Sequence, residues 1–233
     1  MMMNLLVIIP AFNEAESISG VISDLKANFS LADILVVDDG SVDATARIAS
    51  ELGVNVLKLP YNLGIGGAMQ AGYLYAHRWG YDIAVQFDGD GQHLAREVEK
   101  LLQPVVAGSA DIAIGSRFLG QGEYKPSFSR KVGIKVFSTI LSCILGTRVT
   151  DTTSGFRAVN QRVIEFYSRA YPDDYPEVEA LVLLHKARMR IAEVPVQMRE
   201  RARGQSSITA VRSVYYMVKV LLAVFIDLLK KTR

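Results

Sequence analysis

Short apolar runs recur along the first half of the chain, and each one ends at a proline, a glycine or a polar cluster. The runs are residues 5–9, 34–37, 54–59, 83–87 and 111–114. They are rich in Val, Ile and Leu and barely alternate with polar residues, which is typical of strands covered on both faces. The pattern predicts five buried strands.

Segments with helical spacing of apolar residues lie between these runs, at 14–27, 42–52, 66–79 and 95–106. Regular alternation of strands and helices predicts an α/β fold with a mostly parallel sheet and helices on both faces. In open sheets of this kind, ligands bind beyond the carboxyl ends of the strands. Polar clusters follow all five runs, so this edge is the predicted functional site.

The second half of the chain is less regular. We predict a helix over 129–145, a polar turn over 151–157, a helix over 178–187 and a strand over 191–196. The long apolar segment 208–229 is interrupted by Arg212, Lys219 and Asp227, and a basic flank follows it. The pattern is that of an amphipathic helix at a membrane interface, with packing on the core or in a dimer interface as the alternative. We therefore divide the chain into a catalytic domain, 1–207, and a C-terminal helix, 208–233.

Composition narrows the function classes. Among 233 residues, Lys and Arg exceed Asp and Glu by only two, which argues against a nucleic-acid-binding surface. The single cysteine, Cys143, excludes an intrachain disulfide and a cysteine-based metal site, and a reducing, cytoplasmic location fits. Half of the residues are apolar, which is globular composition.

Two carboxylates, Asp88 and Asp90, follow the fourth run within the motif 88–93. Side chains two residues apart at a strand end can converge on one point. Hard cations such as Mg²⁺ bind through one or two carboxylates together with substrate phosphates. A simple Asp-Gly turn is the alternative.

The other strand ends carry candidate ligand-binding residues. Pro10, Phe12, Asn13 and Glu14 follow the first run, Asp38 and Asp39 the second, and Asn62 the third. Phe12 is suited to lie against a base, and two adjacent carboxylates exceed what a capping turn needs. Helix capping is the structural alternative for Asn13 and Glu14, and close helix packing for the glycine-rich loop after Asn62.

Arginines stand at several turns of the second half of the chain. Arg117 follows the fifth run, Arg130 opens the helix at 129–145, and Arg157 ends the turn at 151–157. Arg201 and Arg203 belong to the basic segment 199–207. Guanidinium groups are well suited to bind phosphate, although any one of them could be an ordinary surface charge.

Taken in order, the motifs at 10–14, 38–43, 62–64, 88–93, 115–117, 154–157 and 193–195 resemble the family 2 glycosyltransferases of GT-A (Rossmann-like) fold. Within that family they are most similar to the polyprenyl-phosphate, dolichyl-phosphate mannosyltransferase-like branch. The resemblance implies roles for matching positions: Pro10, Phe12, Glu14 and Asp39 for the donor nucleoside, Asp88, Asp90 and Gln92 for the metal and diphosphate, Arg117 and Arg130 for the acceptor phosphate, and Arg201 and Ser206 for a loop over the donor. The branch often has Lys where this chain has Ser207, which weakens the loop assignment.

The expected reaction is therefore metal-dependent, inverting transfer of a sugar from a UDP-sugar or GDP-mannose to undecaprenyl or dolichyl phosphate, with Mg²⁺ or Mn²⁺ as cofactor. We expect Asp90, Arg117, Arg130 and Arg201 to be catalytic. The donor site is expected to include Asn13, Asp38, Asn62, Asp88 and Ser206 as well, and the acceptor site Arg157. His93 and Glu179 are candidates for supporting roles.

A lipid acceptor implies a peripheral position on the inner face of a membrane, and a small membrane-protein partner or a homo-oligomer is a further expectation. Three alternatives remain from the residues: transfer to a non-lipid glycan, a sugar nucleotidyltransferase, and a noncatalytic nucleotide-sugar-binding protein. The motif at 10–14 is neither glycine-rich nor basic, which disfavours the nucleotidyltransferase.

Overall fold

The computed structural model describes residues 3–119, 128–173 and 176–199, without the side chains of 128–134. The strands are β1 (Leu5–Ala11), β2 (Asp33–Asp38), β3 (Asn55–Lys58), β4 (Ile83–Gln86), β5 (Ile112–Ser116), β6 (Arg157–Asn160) and β7 (Ile191–Pro195). The helices are α1 (Ile18–Asn28), α2 (Thr45–Glu51), α3 (Gly64–Arg78), α4 (Val98–Val106), α5 (Phe128–Leu145), α6 (Gln161–Arg169) and α7 (Pro176–Lys186), and a 3₁₀ turn, Ala95–Glu97, precedes α4.

The strands form one sheet in the order β3-β2-β1-β4-β6-β5-β7. Strands β1 to β4 are parallel to one another, and β7 is parallel to β5. Strand β6 runs antiparallel to both of its neighbours, β4 and β5. The carboxyl ends of the parallel strands therefore meet at one edge, and the chain enters β6 from that same edge.

Both faces of the sheet are covered, which explains the uninterrupted apolar runs. Along β1, Leu6 and Ile8 join a core with α3, α5, α6 and α7, whereas Val7 and Ile9 join a second core with α1, α2 and α4. Side chains of a strand alternate between faces, so a strand buried on both sides requires apolar residues at consecutive positions. All seven residues of β1 are buried.

The predicted α/β fold is confirmed, and the five early strands and the strand at 191–196 are present. Helix α1 begins at Ile18 rather than residue 14, because residues 12–17 form a turn fastened to the loop after β2. The backbone N–H of Glu14 donates to Thr45 Oγ1 at 2.8 Å, and Asn13 adopts a left-handed φ of 55°. The pattern did not predict β6 and α6. The C-terminal helix and the boundary at residue 207 lie outside the described residues and stay predictions.

No helix in the part of the chain that the structure describes combines the length and the apolar character needed to cross a bilayer.

Candidate active site

A polar cavity of about 340 Å³ opens at the carboxyl edge of β1, β2 and β4, within the usual size range for small-molecule sites. It is lined by Pro10, Ala11, Phe12, Glu14, Asp39, Asn62, Gly64, Ile65, Ala68, Asp88, Gly89, Asp90 and Glu177. Many of the predicted donor residues therefore share one cavity.

An exposed aromatic ring and a buried carboxylate lie on the β1 and β2 side of the cavity. Phe12 is 46% exposed although it lines the cavity, so its ring is available to a planar ligand. The Asp39 carboxylate accepts hydrogen bonds from the backbone N–H groups of Leu63 at 2.7 Å and Gly64 at 2.9 Å. It thereby anchors the start of α3 while its remaining lone pairs are able to accept from a ligand.

Two predicted donor residues instead hold the loops in place. Asp38 is buried, and its Oδ1 accepts from the backbone N–H of Ser41 at 3.3 Å. Asn13 Oδ1 accepts from the N–H of Val42 at 3.0 Å, and the N–H of Asn13 donates to Ser41 Oγ. Neither residue lines the cavity. Asn13 therefore fastens the loop after β1 to the loop after β2, whereas Asp38 stabilises the turn that follows its own strand.

On the β4 side, Asp88 is held by a buried histidine. His93 Nδ1 accepts from the backbone N–H of Asp88 at 3.0 Å, and Nε2 lies 3.4 Å from Asp88 Oδ2. Burial lowers the pKa of the His93 imidazole to about 4, although Asp90 acts in the opposite direction. The neutral ring must carry its proton on Nε2, because Nδ1 is an acceptor, and that proton faces the carboxylate.

Asp90 completes the pair of carboxylates in the cavity. Its Oδ1 accepts from the backbone N–H of Gln92 at 3.0 Å. Gln92 does not line the cavity, and its carbonyl oxygen accepts from the N–H of Arg199 at 2.8 Å. Within the described ranges no group of three acidic, His or Cys side chains could hold a metal ion by itself. A cation there would bind to Asp88 and Asp90 and share oxygens with a ligand, as Mg²⁺ commonly does.

Glu177 lines the cavity near Asp88 and is not among the residues predicted from the sequence. Burial raises the pKa of the Glu177 carboxyl, and the nearby Arg157 guanidinium opposes that shift. Residue 177 is the second residue of α7, two positions before the predicted candidate Glu179. Its place at the cavity depends on tertiary packing, since α7 joins the same core as β4, and nothing in the local sequence indicates this.

Arg157 lies in the core rather than at the surface. Its side chain is 1% exposed, Nε donates to the Ser154 carbonyl at 2.8 Å and Nη2 donates to the Glu177 carbonyl at 2.6 Å. Nη1 has no hydrogen-bond partner among the described residues. This burial does not support the prediction that Arg157 contacts an acceptor phosphate. Its contacts instead join the loop before β6 to α7.

Arg117 extends from the end of β5 and pairs with the fully buried Asp151. Nε lies 2.7 Å from Asp151 Oδ2 and Nη2 lies 2.8 Å from Oδ1, a bidentate arrangement. Nη2 also donates to Thr153 Oγ1 at 3.0 Å. The Arg117 side chain is about one-fifth exposed, and both charges are close enough to influence the pKa of His93.

The remaining predicted residues fall outside what the structure describes. Arg130 lies on α5, but its side chain is among those not described, and Arg201, Arg203 and Ser206 belong to the undescribed segment after 199. Their assigned roles stay predictions.

The mostly parallel sheet, with paired carboxylates beyond β4, has the architecture of the GT-A glycosyltransferases. The glycosyl transferase family 2 model matches residues 6–167, and the chain belongs to that family. A crystal structure of glucosyl-3-phosphoglycerate synthase from Mycobacterium tuberculosis, in complex with Mn²⁺, UDP and glucosyl-3-phosphoglycerate, has the same fold. The TM-score is 0.72 at 20% identity, over 97% of this chain and 79% of that one.

Two curated relatives match most of the chain. UDP-N-acetylglucosamine–dolichyl-phosphate N-acetylglucosaminyltransferase of Methanococcus voltae is 35% identical over 82% of this chain and 83% of its own length. Polyprenol monophosphomannose synthase of Mycolicibacterium smegmatis is 34% identical over 88% of this chain and 80% of its own length. The protein is accordingly a glycosyltransferase, and its similarity to these relatives supports the predicted polyprenyl-phosphate branch.

Proposed function

We propose that this glycosyltransferase moves a sugar from a nucleotide sugar, a UDP-sugar or GDP-mannose, to a polyprenyl phosphate and inverts the anomeric carbon. The observation that carries the proposal is the composition of the cavity. Among the residues described, no Lys or Arg lines the cavity. The lining includes five carboxylates, those of Glu14, Asp39, Asp88, Asp90 and Glu177. A nucleoside diphosphate entering such a cavity would be repelled unless a divalent cation accompanied it.

The oxygen ligands that the protein offers fit Mg²⁺ or Mn²⁺, since Asp88 and Asp90 both line the cavity and both belong to one short turn after β4. These two residues would hold the ion, and the ion would neutralise the negative charge that develops on the departing diphosphate. His93 would keep the Asp88 carboxylate oriented through the proton on Nε2. On the β1 side of the cavity, Phe12 would lie against the base and Asp39 would accept from it or from the ribose.

The acceptor needs positioning more than deprotonation. A phosphate monoester has a second pKa near 6, so it is largely a dianion at neutral pH and is already a nucleophile. We infer that Arg117, with Arg130, orients this phosphate and offsets part of its charge. The relatives named for dolichyl phosphate and polyprenol phosphate support this acceptor class. Membrane access would come from peripheral binding on the inner face, through 208–233 or a partner.

A transfer assay with undecaprenyl phosphate in detergent micelles tests the proposal. Labelled UDP-, GDP- and dTDP-sugars would be supplied in turn, with Mg²⁺, Mn²⁺ or EDTA. We expect metal-dependent lipid-linked label that is lost in Asp90→Ala and Arg117→Ala. Glu51→Gln, an exposed carboxylate paired with Arg47, is the matched control and should transfer as wild type does.

The failing outcomes are distinct. Label released only as free sugar would retain the donor site and reject the lipid acceptor. Equal transfer in EDTA would reject the metal, and absence of transfer from every donor, also with membrane extract added, would reject the reaction as proposed.

A further inference from the structure

A carboxylate on the edge strand β7 organises the loop between α5 and β6. Glu193 Oε1 accepts from the backbone N–H of Thr150 at 2.8 Å and from that of Asp151 at 2.6 Å. Its Oε2 accepts from the Thr150 hydroxyl at 3.0 Å. Two consecutive backbone donors are thus satisfied by one side chain from more than forty residues away. If the loop left this conformation, these part-buried N–H groups would lose their acceptor, and the free-energy cost of that loss stabilises the observed conformation.

The same loop carries the partner of Arg117. The Asp151 carboxylate is fully buried and accepts from the backbone N–H, Nε and Nη2 of Arg117. A hydroxyl pair joins the two segments again, since Ser116 Oγ lies 2.8 Å from Thr150 Oγ1. The position of Asp151 therefore fixes the plane of the guanidinium, and the contacts of Glu193 fix the position of Asp151.

We propose that Glu193 is a positioning residue for the acceptor side of the reaction, acting through Thr150 and Asp151 on the orientation of Arg117. Its effect on turnover rests on the function proposed above, in which Arg117 meets the acceptor phosphate. A free arginine side chain carries about 2 kcal/mol of rotamer entropy that phosphate binding would have to overcome. The bidentate pair restricts those rotamers beforehand, so less is lost when the phosphate binds.

The position and the charge of Glu193 have opposite expected effects. As an acceptor it fixes the loop, whereas its negative charge near Asp151 weakens the attraction for a phosphate. Glu193→Gln keeps an oxygen able to accept from both backbone N–H groups, removes the charge, and puts an amide nitrogen where Oε2 accepts from the Thr150 hydroxyl. That nitrogen can donate to the hydroxyl oxygen instead. Glu193→Ala removes both the acceptor and the charge. A positioning role predicts that the Gln variant rescues what the Ala variant loses, because geometry rather than charge is required.

The direct test observes the arginine itself. In protein labelled with ¹⁵N-arginine, the Nε–H resonance of Arg117 is assigned by its loss in Arg117→Lys. We expect a slowly exchanging signal in wild type and in Glu193→Gln, and a shifted, fast-exchanging signal in Glu193→Ala. Glu165→Ala, which removes an exposed carboxylate paired with Arg169, is the matched control and should leave the Arg117 signal unchanged. An unchanged signal in Glu193→Ala would overturn the proposal.

Kinetics provide the second test. Glu193→Ala should raise the KM for undecaprenyl phosphate about tenfold, the loss expected for one misaligned charge-assisted hydrogen bond, with the donor KM within about twofold of wild type. An equal rise in both KM values, or no rescue by Glu193→Gln, would indicate general damage and overturn the positioning role. If Arg117→Lys used the lipid phosphate as well as wild type does, the acceptor assignment itself would fail. The Nε–H signal of the wild-type arginine would still report whether Glu193 orients Arg117 through Asp151.

Discussion

Replacing Gly155 by alanine should weaken metal binding without removing any ligand. A Cβ at this position would lie 3.0 Å from Asp88 Oδ1 and 3.1 Å from Gln86 Nε2, whereas ordinary contacts begin near 3.4 Å. The Asp88 carboxylate would therefore have to move by about 0.4 Å, a shift read from the shorter of these contacts. Metal–ligand distances tolerate about 0.2 Å. His93 Nε2 lies 3.4 Å from Asp88 Oδ2, and this contact restricts rotation of the carboxylate away from the new Cβ.

We expect Gly155→Ala to reduce the affinity for Mn²⁺ in the presence of UDP about 10- to 100-fold, the range typical of disturbed groups behind a metal ligand. The same overpacking should cost about 1 kcal/mol of stability, or roughly 2–4 °C in Tm for a chain of this size. Isothermal titration calorimetry with Mn²⁺ and UDP measures the first effect, and thermal unfolding the second.

Gly20→Ala is the matched control for this experiment. Gly20 lies in α1, and a Cβ there would meet nothing within 4 Å. Alanine in a helix is favoured over glycine by about 0.5–1 kcal/mol, so this variant should be slightly more stable and bind Mn²⁺ and UDP normally. The reasoning is refuted if Gly155→Ala binds Mn²⁺ as tightly as wild type does while Asp88→Ala does not.

Three further predictions concern stability. Hydrogen bonds from the Arg190 guanidinium lower the pKa of the buried Asp111 carboxyl from 3.8 to about 2. The ionised carboxyl therefore contributes on the order of 2 kcal/mol to the free energy of unfolding above pH 4, and this contribution should be lost between about pH 4 and 2. Urea titrations of Asp111→Asn should lack this loss of stability in acid. Gly40→Ala should lower stability by about 1–3 kcal/mol, because φ is +73° and the Cβ would lie 2.8 Å from the backbone of the neighbouring loop; an unchanged Tm would contradict this. Arg157→Met should cost about 3 kcal/mol in urea unfolding, since it leaves Glu177 without its nearby cation.

The first half of the fold was predictable because its strands are buried on both faces. Consecutive apolar residues in β1 and β2 are explained by two cores, one on each side of the sheet. Parallel strands also bring their carboxyl ends to one edge, so residues separated by dozens of positions, such as Phe12, Asp39 and Asp88, were expected to meet. The cavity has this arrangement, although the roles of its residues in catalysis stay predictions.

Prediction failed where a residue's role depends on distant packing. Asp38 and Asp39 are adjacent carboxylates with similar local sequence, yet one serves a turn and the other caps α3 at the cavity. Successive side chains of an extended chain point to opposite sides, and the sequence does not say which side faces a ligand. Glu177 is a similar case, because its approach to Asp88 depends on how α7 packs.

The antiparallel strand β6 shows that the sequence motif around Asp88 is not enough to define the predicted metal site. Four residues that begin with an arginine do not match the apolar pattern of the other strands, and β6 lies in the sheet between β4 and β5. That pairing aligns Arg157 with Gln86, so the turn before β6 brings Gly155 directly against the Asp88 carboxylate. A segment about seventy residues later thus limits where this carboxylate can lie. It follows that substitutions at 155–157 should affect metal binding even though none of these residues lines the cavity.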